Sequence, residues 1–438
     1  MRKLIEKVKN NKFGKSILLI SGGTAIAQIV NTLSSPIITR LFSPEEYGVL
    51  TVYTAILGII AIAGGGKFEW GIPIAKDDDE SINLLTLSTL IVMIISVFVF
   101  IILLFQGDWF LGLFEGEKLA KFKYFIPVGI FLTGLYTIFT QWALRNKDFK
   151  VISKTKINQS VFQNIVKIGS GFFHVGSAGL IIGRIIGQSA GILSLFREIL
   201  KINFVELKNV SLKKMIRCAK RYKNFPLYSA PGQILNTIGI QLPTILITAL
   251  YGSEVIGFYG LAYSIVSMPM NLIGMSVADV FYSEAASMGK SNPKELKKLS
   301  EKLFKRLFLI GLFPLMILLF FGPLLFSLVF GSSWAEAGVY AQIISVLVYA
   351  RFIFTPLSRV YIIFEYQRVS FFLDVLRIVF LGIAYFISDL LKLNSYSFVI
   401  IYVIAMPLIY LITYIGSKKI LNKQITKTSM YNQEESDF

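Results

Sequence analysis

Apolar stretches of 18 or more residues follow one another along this chain, separated by short segments rich in lysine and arginine. Spans of about 20 apolar residues fit a hydrocarbon core roughly 30 Å thick. The pattern predicts twelve of them, near residues 14–39, 47–75, 82–105, 122–144, 157–178, 179–196, 225–250, 255–285, 307–330, 338–363, 371–391 and 396–416. They are apolar all round, whereas membrane β-strands alternate apolar and polar over about ten residues. The expected fold class is therefore all-α: an integral membrane protein of about twelve transmembrane helices in two six-helix lobes. A 54% hydrophobic composition and a mean hydropathy of +0.65 agree, being far from those of a soluble domain.

A net charge of +18 would suit a polyanion such as DNA, but its distribution argues for a membrane. With the N-terminus placed inside, 33 of the 44 Lys+Arg fall in inside segments. Five fall outside (Arg40, Lys118, Lys121, Lys123 and Lys392) and the other six lie within spans. This is the positive-inside asymmetry, and it places both termini in the cytoplasm of a multi-pass protein of the bacterial inner membrane. Basic inside loops also favour anionic lipid headgroups. The longest of them suggests the division: an N-terminal lobe 1–196, a cytoplasmic basic linker 197–224, a C-terminal lobe 225–416 and a cytoplasmic tail 417–438. No small-residue cleavage site follows the first span, which is expected to be retained. The lone Cys218 allows no internal disulfide. The short loops leave no room for a soluble catalytic domain.

A repeat supports the two-lobe division. Ile38-Thr39-x-Leu41-Phe42-x-x-Glu45-x-x-Gly48 aligns without a gap onto Ile247-Thr248-x-Leu250-Tyr251-x-x-Glu254-x-x-Gly257, 209 residues later. Internal repeats of this extent in membrane proteins point to a transporter with its site between related bundles. Gly179, Gly183, Gly187 and Gly191 recur at intervals of four and predict a close helix–helix contact. Pro231 and Pro243 both fall within the seventh span and predict kinks there.

Polar and charged residues inside spans are the candidates for chemistry. Thr24, Gln28, Asn31 and Ser35 form one stripe on the first span, and Gln233, Thr237, Gln241 and Thr244 form one on the seventh. The 209 offset superposes Thr24 on Gln233, Gln28 on Thr237 and Ser35 on Thr244. Either the stripes share a hydrated cavity, with Gln28, Asn31, Gln233 and Thr237 contacting substrate, or they hydrogen-bond to neighbouring helices. Six cations lie within spans: Lys67, Lys167, Arg184, Arg351, Arg359 and Arg377. Five carboxylates lie there too: Glu69, Asp279, Glu284, Asp374 and Asp389. Asp374 and Arg377, three apart, can pair on a helix, whereas Lys67 and Glu69, two apart, share no helix face. The balance suggests a basic cavity and an anionic substrate. Arg40, Lys67, Arg184 and Arg351 are the candidate anion contacts, arginine being suited to phosphate by its planar fork. The sequence contains no metal-ligand cluster, nucleotide loop or nucleophile constellation, so no catalytic residue, metal or cofactor is expected.

Three motifs carry a family resemblance. Pro36-Ile-Ile-Thr-Arg-Leu-Phe-Ser-Pro-Glu-Glu-Tyr-Gly48, Phe68-Glu69 with Ala75-Lys-Asp77, and Phe330-Gly-Ser-Ser-Trp334 resemble the Wzx-type polysaccharide flippases of the MOP superfamily. That superfamily also holds the MATE drug exporters and the MurJ lipid II flippases; the latter usually carry an extra pair of spans, absent here. The resemblance implies two six-helix lobes, alternating access and outward flipping of an undecaprenyl-diphosphate-linked oligosaccharide for O-antigen, capsule or exopolysaccharide synthesis. The implied partners are that lipid-linked substrate, membrane lipids and polysaccharide polymerase machinery, with no nucleic acid, and a coupling ion (H+ or Na+) could reset the carrier. The alternatives are a MATE-like cation-coupled exporter, which needs carboxylates to dominate the cavity, and a membrane glycan polymerase, which needs a large outer loop.

Overall fold

The computed structural model describes residues 12–112, 117–200, 210–288, 292–364 and 366–434, and among them every regular element is a helix. Contacts divide the chain into two units, Met1–Gly257 and Phe258–Phe438. The first holds α1 (Lys12–Leu41), α2 (Pro44–Ala63), α3 (Asp78–Gly112), α4 (Phe125–Arg145), α5 (Phe149–Phe172), α6 (Ser177–Ile199), α7 (Leu212–Arg221) and the first part of α8 (Ala230–Pro269). The second holds the rest of α8, then α9 (Met275–Met288), α10 (Pro293–Phe330), α11 (Ala335–Leu357), α12 (Gln367–Leu390) and α13 (Ser395–Glu434).

Nine helices among the described residues are long and apolar enough to cross a membrane, against the twelve expected. The expected spans 14–39 and 157–178 are present as α1 and α5, and α5 is too polar to count among the nine. α1 carries its polar stripe, and α5 carries Lys150, Lys154, Lys156 and Lys167 among Ser, Asn and Gln. The expected spans 225–250 and 255–285 form one apolar stretch from Phe225 to Gly274. The backbone leaves helical geometry there at Gly252 (φ 80°), not at Pro243, because glycine accepts a positive φ without a Cβ clash. A π-helical turn over Met270–Gly274, directly after Pro269, separates α8 from α9.

Local rules set the helix starts that matter for the site. Ser43 opens α2 with a capping box: its hydroxyl accepts from the Glu46 N–H at 3.2 Å, and its own N–H donates to Glu46 Oε2 at 2.8 Å. Pro44 sits at the first helical position, where a missing N–H costs nothing. Asp77 caps α3 in the same manner through the Glu80 N–H at 2.8 Å. The Phe330–Trp334 motif ends α10 at Gly331 (φ 109°) and buries Trp334 completely, edge-on to Phe258 at 6.0 Å.

Glycines decide how closely the helices approach. A Cβ at Gly183 would strike the Lys167 stem and one at Gly187 the Gln163 side chain and the Gln159 carbonyl; Gly179 and Gly191 likewise meet Ser170 and Gln159. The four-residue stripe of α6 thus lies directly on α5, as its spacing predicts. The 209-residue repeat holds a second such contact. A Cβ at Gly48 would run into the Ser253 carbonyl, and one at Gly257 into the Pro44 carbonyl. Pro44 and Ser253 are themselves equivalent under the 209 offset, so the two copies of the repeat meet reciprocally, backbone on backbone.

Gly48→Ala and Gly257→Ala are each expected to cost about 1–3 kcal/mol by overpacking, read as a lower Tm of the detergent-purified protein. Because the two glycines share one contact, the double variant should cost less than the sum. Fully additive losses would show that they do not.

Candidate functional site

The polar stripe of α1 is taken up by α5. Lys156 Nζ donates to Thr24 Oγ1 at 2.8 Å, Asn164 Nδ2 donates to Asn31 Oδ1 at 2.7 Å, and Ser160 Oγ lies 2.8 Å from both Asn31 Oδ1 and the Ala27 carbonyl. For Thr24 and Asn31 the neighbour-helix reading therefore holds. Gln28 is half-buried and makes no such bond among the described residues. The stripe of α8 differs. Gln233 Oε1 is buried without a hydrogen-bond partner, Thr237 is half-buried, and Gln241 packs on Gly58 of α2. Sequence-matched stripes have thus diverged: the first is bonded to α5 at Thr24 and Asn31, while Gln233 of the second keeps free polar capacity.

The candidate cations occupy unlike settings. Arg40 is exposed in the last turn of α1, where a cation complements the helix's carbonyl end. Lys67 and Glu69 form an ion pair at 3.8 Å, which their two-residue spacing did not predict. The reason is local: α2 has ended, Gly66 and Lys67 take positive φ (59° and 62°), and a 3-10 turn begins at Phe68, so helix-face arguments do not apply. Both side chains are buried, and Lys67 Nζ also sits 5.1 Å from the Trp70 ring. They line a cavity of about 140 Å³ with Gly58, Gly65, Thr133 and Thr137, and Glu69 Oε2 lacks a hydrogen-bond partner. That carboxylate lies so close to Gly65 that a Cβ there would collide with it.

Arg184 and Lys167 form the other charged group of the first unit. Arg184 on α6 donates to Gln163 Oε1 at 3.2 Å, and Tyr53 of α2 interacts with it electrostatically. Lys167 on α5, only 7% exposed, lies close enough to feel the Arg184 charge. Among the described residues no carboxylate pairs with either. Lys167 is thus buried to about the same degree as Lys67, at 7% against 6% exposure, yet has no carboxylate beside it among the described residues. The signal that could have found it is Gly183, one of the stripe glycines facing α5.

In the second unit Arg351 donates to Tyr263 Oη at 2.7 Å, with Tyr402 and Tyr410 also within electrostatic reach. Tyr263 in turn stacks on Tyr259 at 6.0 Å. This setting holds no carboxylate among the described residues. Arg377 instead pairs with Asp374 at 2.8 Å, as their spacing predicts, and lies 4.5 Å from the Tyr410 ring. The charge of Arg377 is balanced and that of Arg351 is not.

A separate cluster joins the basic linker to α3. Lys214 pairs with Asp79 and Arg221 with Glu80, both at 2.8 Å, while Arg145 of α4 reaches Asp78 at 2.8 Å. Met215, Cys218 and Tyr222 form the buried side of α7. Burial, reinforced by Glu80 and Asp79, pushes the Cys218 thiol above its ordinary pKa.

Long apolar helices, broken at Gly252 and at Met270–Gly274, and cations held inside the bundle define a multi-pass membrane protein, and its fold matches those of solved transporters of the MOP superfamily. An inward-facing multidrug resistance MATE family transporter of that superfamily matches with a TM-score of 0.71 at 16% identity, over 91% of this chain and 96% of that one. The lipid II flippase MurJ in an inward closed conformation matches at 0.69 and 16% identity, over 96% of this chain and 93% of that one. The profile of a family described as "Polysaccharide biosynthesis protein" matches residues 37–339, and the chain belongs to that family. It is 24% identical over 321 residues to the teichuronic acid biosynthesis protein TuaB of Bacillus subtilis (strain 168), covering 72% of this chain and 63% of that relative.

With its thiol pKa raised and its face buried, Cys218 is expected to react with a maleimide several-fold more slowly than an exposed thiol at neutral pH, and faster as the pH rises, because the thiolate is the reactive form. Asp79→Asn and Glu80→Gln, which remove the ion pairs holding α7 down, should speed the labelling. Unchanged rates in both variants would show that the pairs do not hold the helix.

Proposed function

We propose that the chain flips an undecaprenyl-diphosphate-linked oligosaccharide from the cytoplasmic to the outer leaflet of the inner membrane by alternating access, for the assembly of a polysaccharide such as O-antigen, capsule or exopolysaccharide. The observation that carries this reading is the set of cations without carboxylate partners: Lys167 with Arg184 in the first unit and Arg351 in the second. A cation at mid-bilayer costs about 2.5–3.5 kcal/mol even on the insertion scale. A diphosphate diester, with about two negative charges and oxygens that suit an arginine fork, would offset that cost.

In this reading the moving parts are the lobes 1–196 and 225–416, joined by the linker 197–224, with the tail 417–438 and both termini in the cytoplasm. Arg184 of the first unit and Arg351 of the second are each candidate contacts for an anionic headgroup. Lys67, balanced by Glu69, and Arg40, exposed at a helix end, contribute less. Gln28, Gln233 and Thr237 serve the glycan, Gln233 foremost because its Oε1 is unpartnered, while Asn31 is committed to α5. An inside-negative potential drives the charged headgroup outward by about 2.3 kcal/mol per charge per 100 mV. A proton or sodium ion would reset the carrier, and the buried, half-satisfied carboxylate of Glu69 suits a proton. The flipped unit would pass to polysaccharide polymerase machinery.

Arg184→Ala and Arg351→Ala are each expected to lower flipping about 10- to 100-fold, the equivalent of losing a charged hydrogen bond of about 1.5–3 kcal/mol. The measure is polysaccharide yield in a complementation assay at matched membrane levels. Intact flipping after alanine at Arg40, Lys67, Arg184 and Arg351 together would sink the cationic-site reading. Export of cationic dyes by the same cells would favour a MATE-like exporter instead.

A further inference from the structure

The outer face of α7 is a charged feature that transport leaves unexplained. At 100° per residue, Leu212, Ile216, Lys220, Lys213 and Arg217 fall in that order within an arc of about 140°. All five are exposed, Leu212 at 70% and Ile216 at 48%. The opposite arc carries Met215 and Cys218, flanked by Lys214 and Arg221 in their ion pairs with Asp79 and Glu80. One side of the helix is therefore committed to α3, and the other mixes two aliphatic side chains with three cations and no carboxylate. Lys223, just beyond the helix, is a fourth exposed cation.

Two tethers keep this face at the membrane surface. The inner arc is clamped to the first turn of α3, a helix apolar enough to cross the bilayer from Asp78 onward. At the other end, Arg221 is four residues from Phe225, where the next apolar stretch begins. Four residues reach at most about 14 Å. Leu227 and Tyr228, at the mouth of that stretch, are 60% and 74% exposed, and tyrosine is a residue of the membrane–water interface.

We propose that α7 is an interfacial helix whose outer arc binds anionic phospholipid headgroups. Leu212 and Ile216 enter the boundary between headgroups and acyl chains, while Lys213, Arg217, Lys220 and Lys223 meet the lipid phosphates. The inference does not depend on the cargo and holds for any transported species.

The test uses the full-length chain carrying Cys218→Ser and Ile216→Cys, labelled with an NBD fluorophore and reconstituted into vesicles. Phosphatidylcholine vesicles are compared with vesicles of phosphatidylcholine and phosphatidylglycerol. The expected result is a blue-shifted, brighter emission in the anionic vesicles, lost when Lys213, Arg217, Lys220 and Lys223 are all changed to Gln. These changes leave Lys214 and Arg221 in place. Slow labelling of native Cys218 in the fourfold variant confirms that α7 stays docked, and the pair Lys213→Gln and Arg217→Gln replaces it if the helix undocks. Emission typical of water in both vesicles, or an equal shift in both, overturns the proposal, as does a shift that survives the charge removal.

Discussion

Where α2 meets α8 the two backbones touch, and where α6 meets α5 the glycines of α6 lie directly on the side chains and carbonyls of α5. Lipid tails are as apolar as leucine, so burying apolar surface gives helices in a membrane little reason to associate. Close van der Waals contact must do most of it, and that requires glycine on the contact line. The second of these contacts organises the first unit. With α6 seated on one side of α5 and the Thr24–Asn31 seam of α1 bonded to another, α5 has little freedom to rotate or slide. Its lysines and amides therefore stand at defined heights, and Arg184 on α6 stands beside Lys167 for the same reason.

The charges follow a gradient of compensation. Arg377 has Asp374, Lys67 has Glu69 and Trp70, Lys214 and Arg221 have the acidic start of α3. Lys167 and Arg184 have no carboxylate partner among the described residues, and Arg351 has tyrosines. Phenol groups accept a hydrogen bond from a guanidinium without neutralising it. A tyrosine-lined arginine is thus held in place while its charge stays available, whereas a carboxylate would hold it and cancel it. Position and charge are supplied by different residues at these sites.

Local features were the readable ones. The glycine stripe and the Asp374–Arg377 pair depend on spacing within one helix, and both stand as the spacing implies. The helical class follows from apolar runs that no strand pattern fits. What escaped the sequence depends on where a helix stops or on which distant residue faces it. Lys67 and Glu69 meet only because the helix ends before them, and a helical wheel drawn through Gly64–Gly66 misplaces both. The tyrosines around Arg351 come from positions 259, 263, 402 and 410, and no spacing rule joins them. α1 and α8 carry matching polar stripes, yet the first is bonded to its neighbour at Thr24 and Asn31, because α5 offers Lys156, Ser160 and Asn164 at the right heights. Pattern identifies a polar face; the neighbour decides its use.

The contact between Gly183 and the stem of Lys167 joins packing to charge in a single pair of residues. Any side chain at 183 displaces the lysine, and any shift of α6 that relieves the clash moves Arg184 one residue away. The spacing of the two cations therefore cannot drift by small steps of backbone adjustment. In the course of divergence this pair is open to wholesale exchange of Lys167 or Arg184 and closed to gradual retuning. Relatives that share the stripe glycine should fall into discrete charge types rather than a continuum.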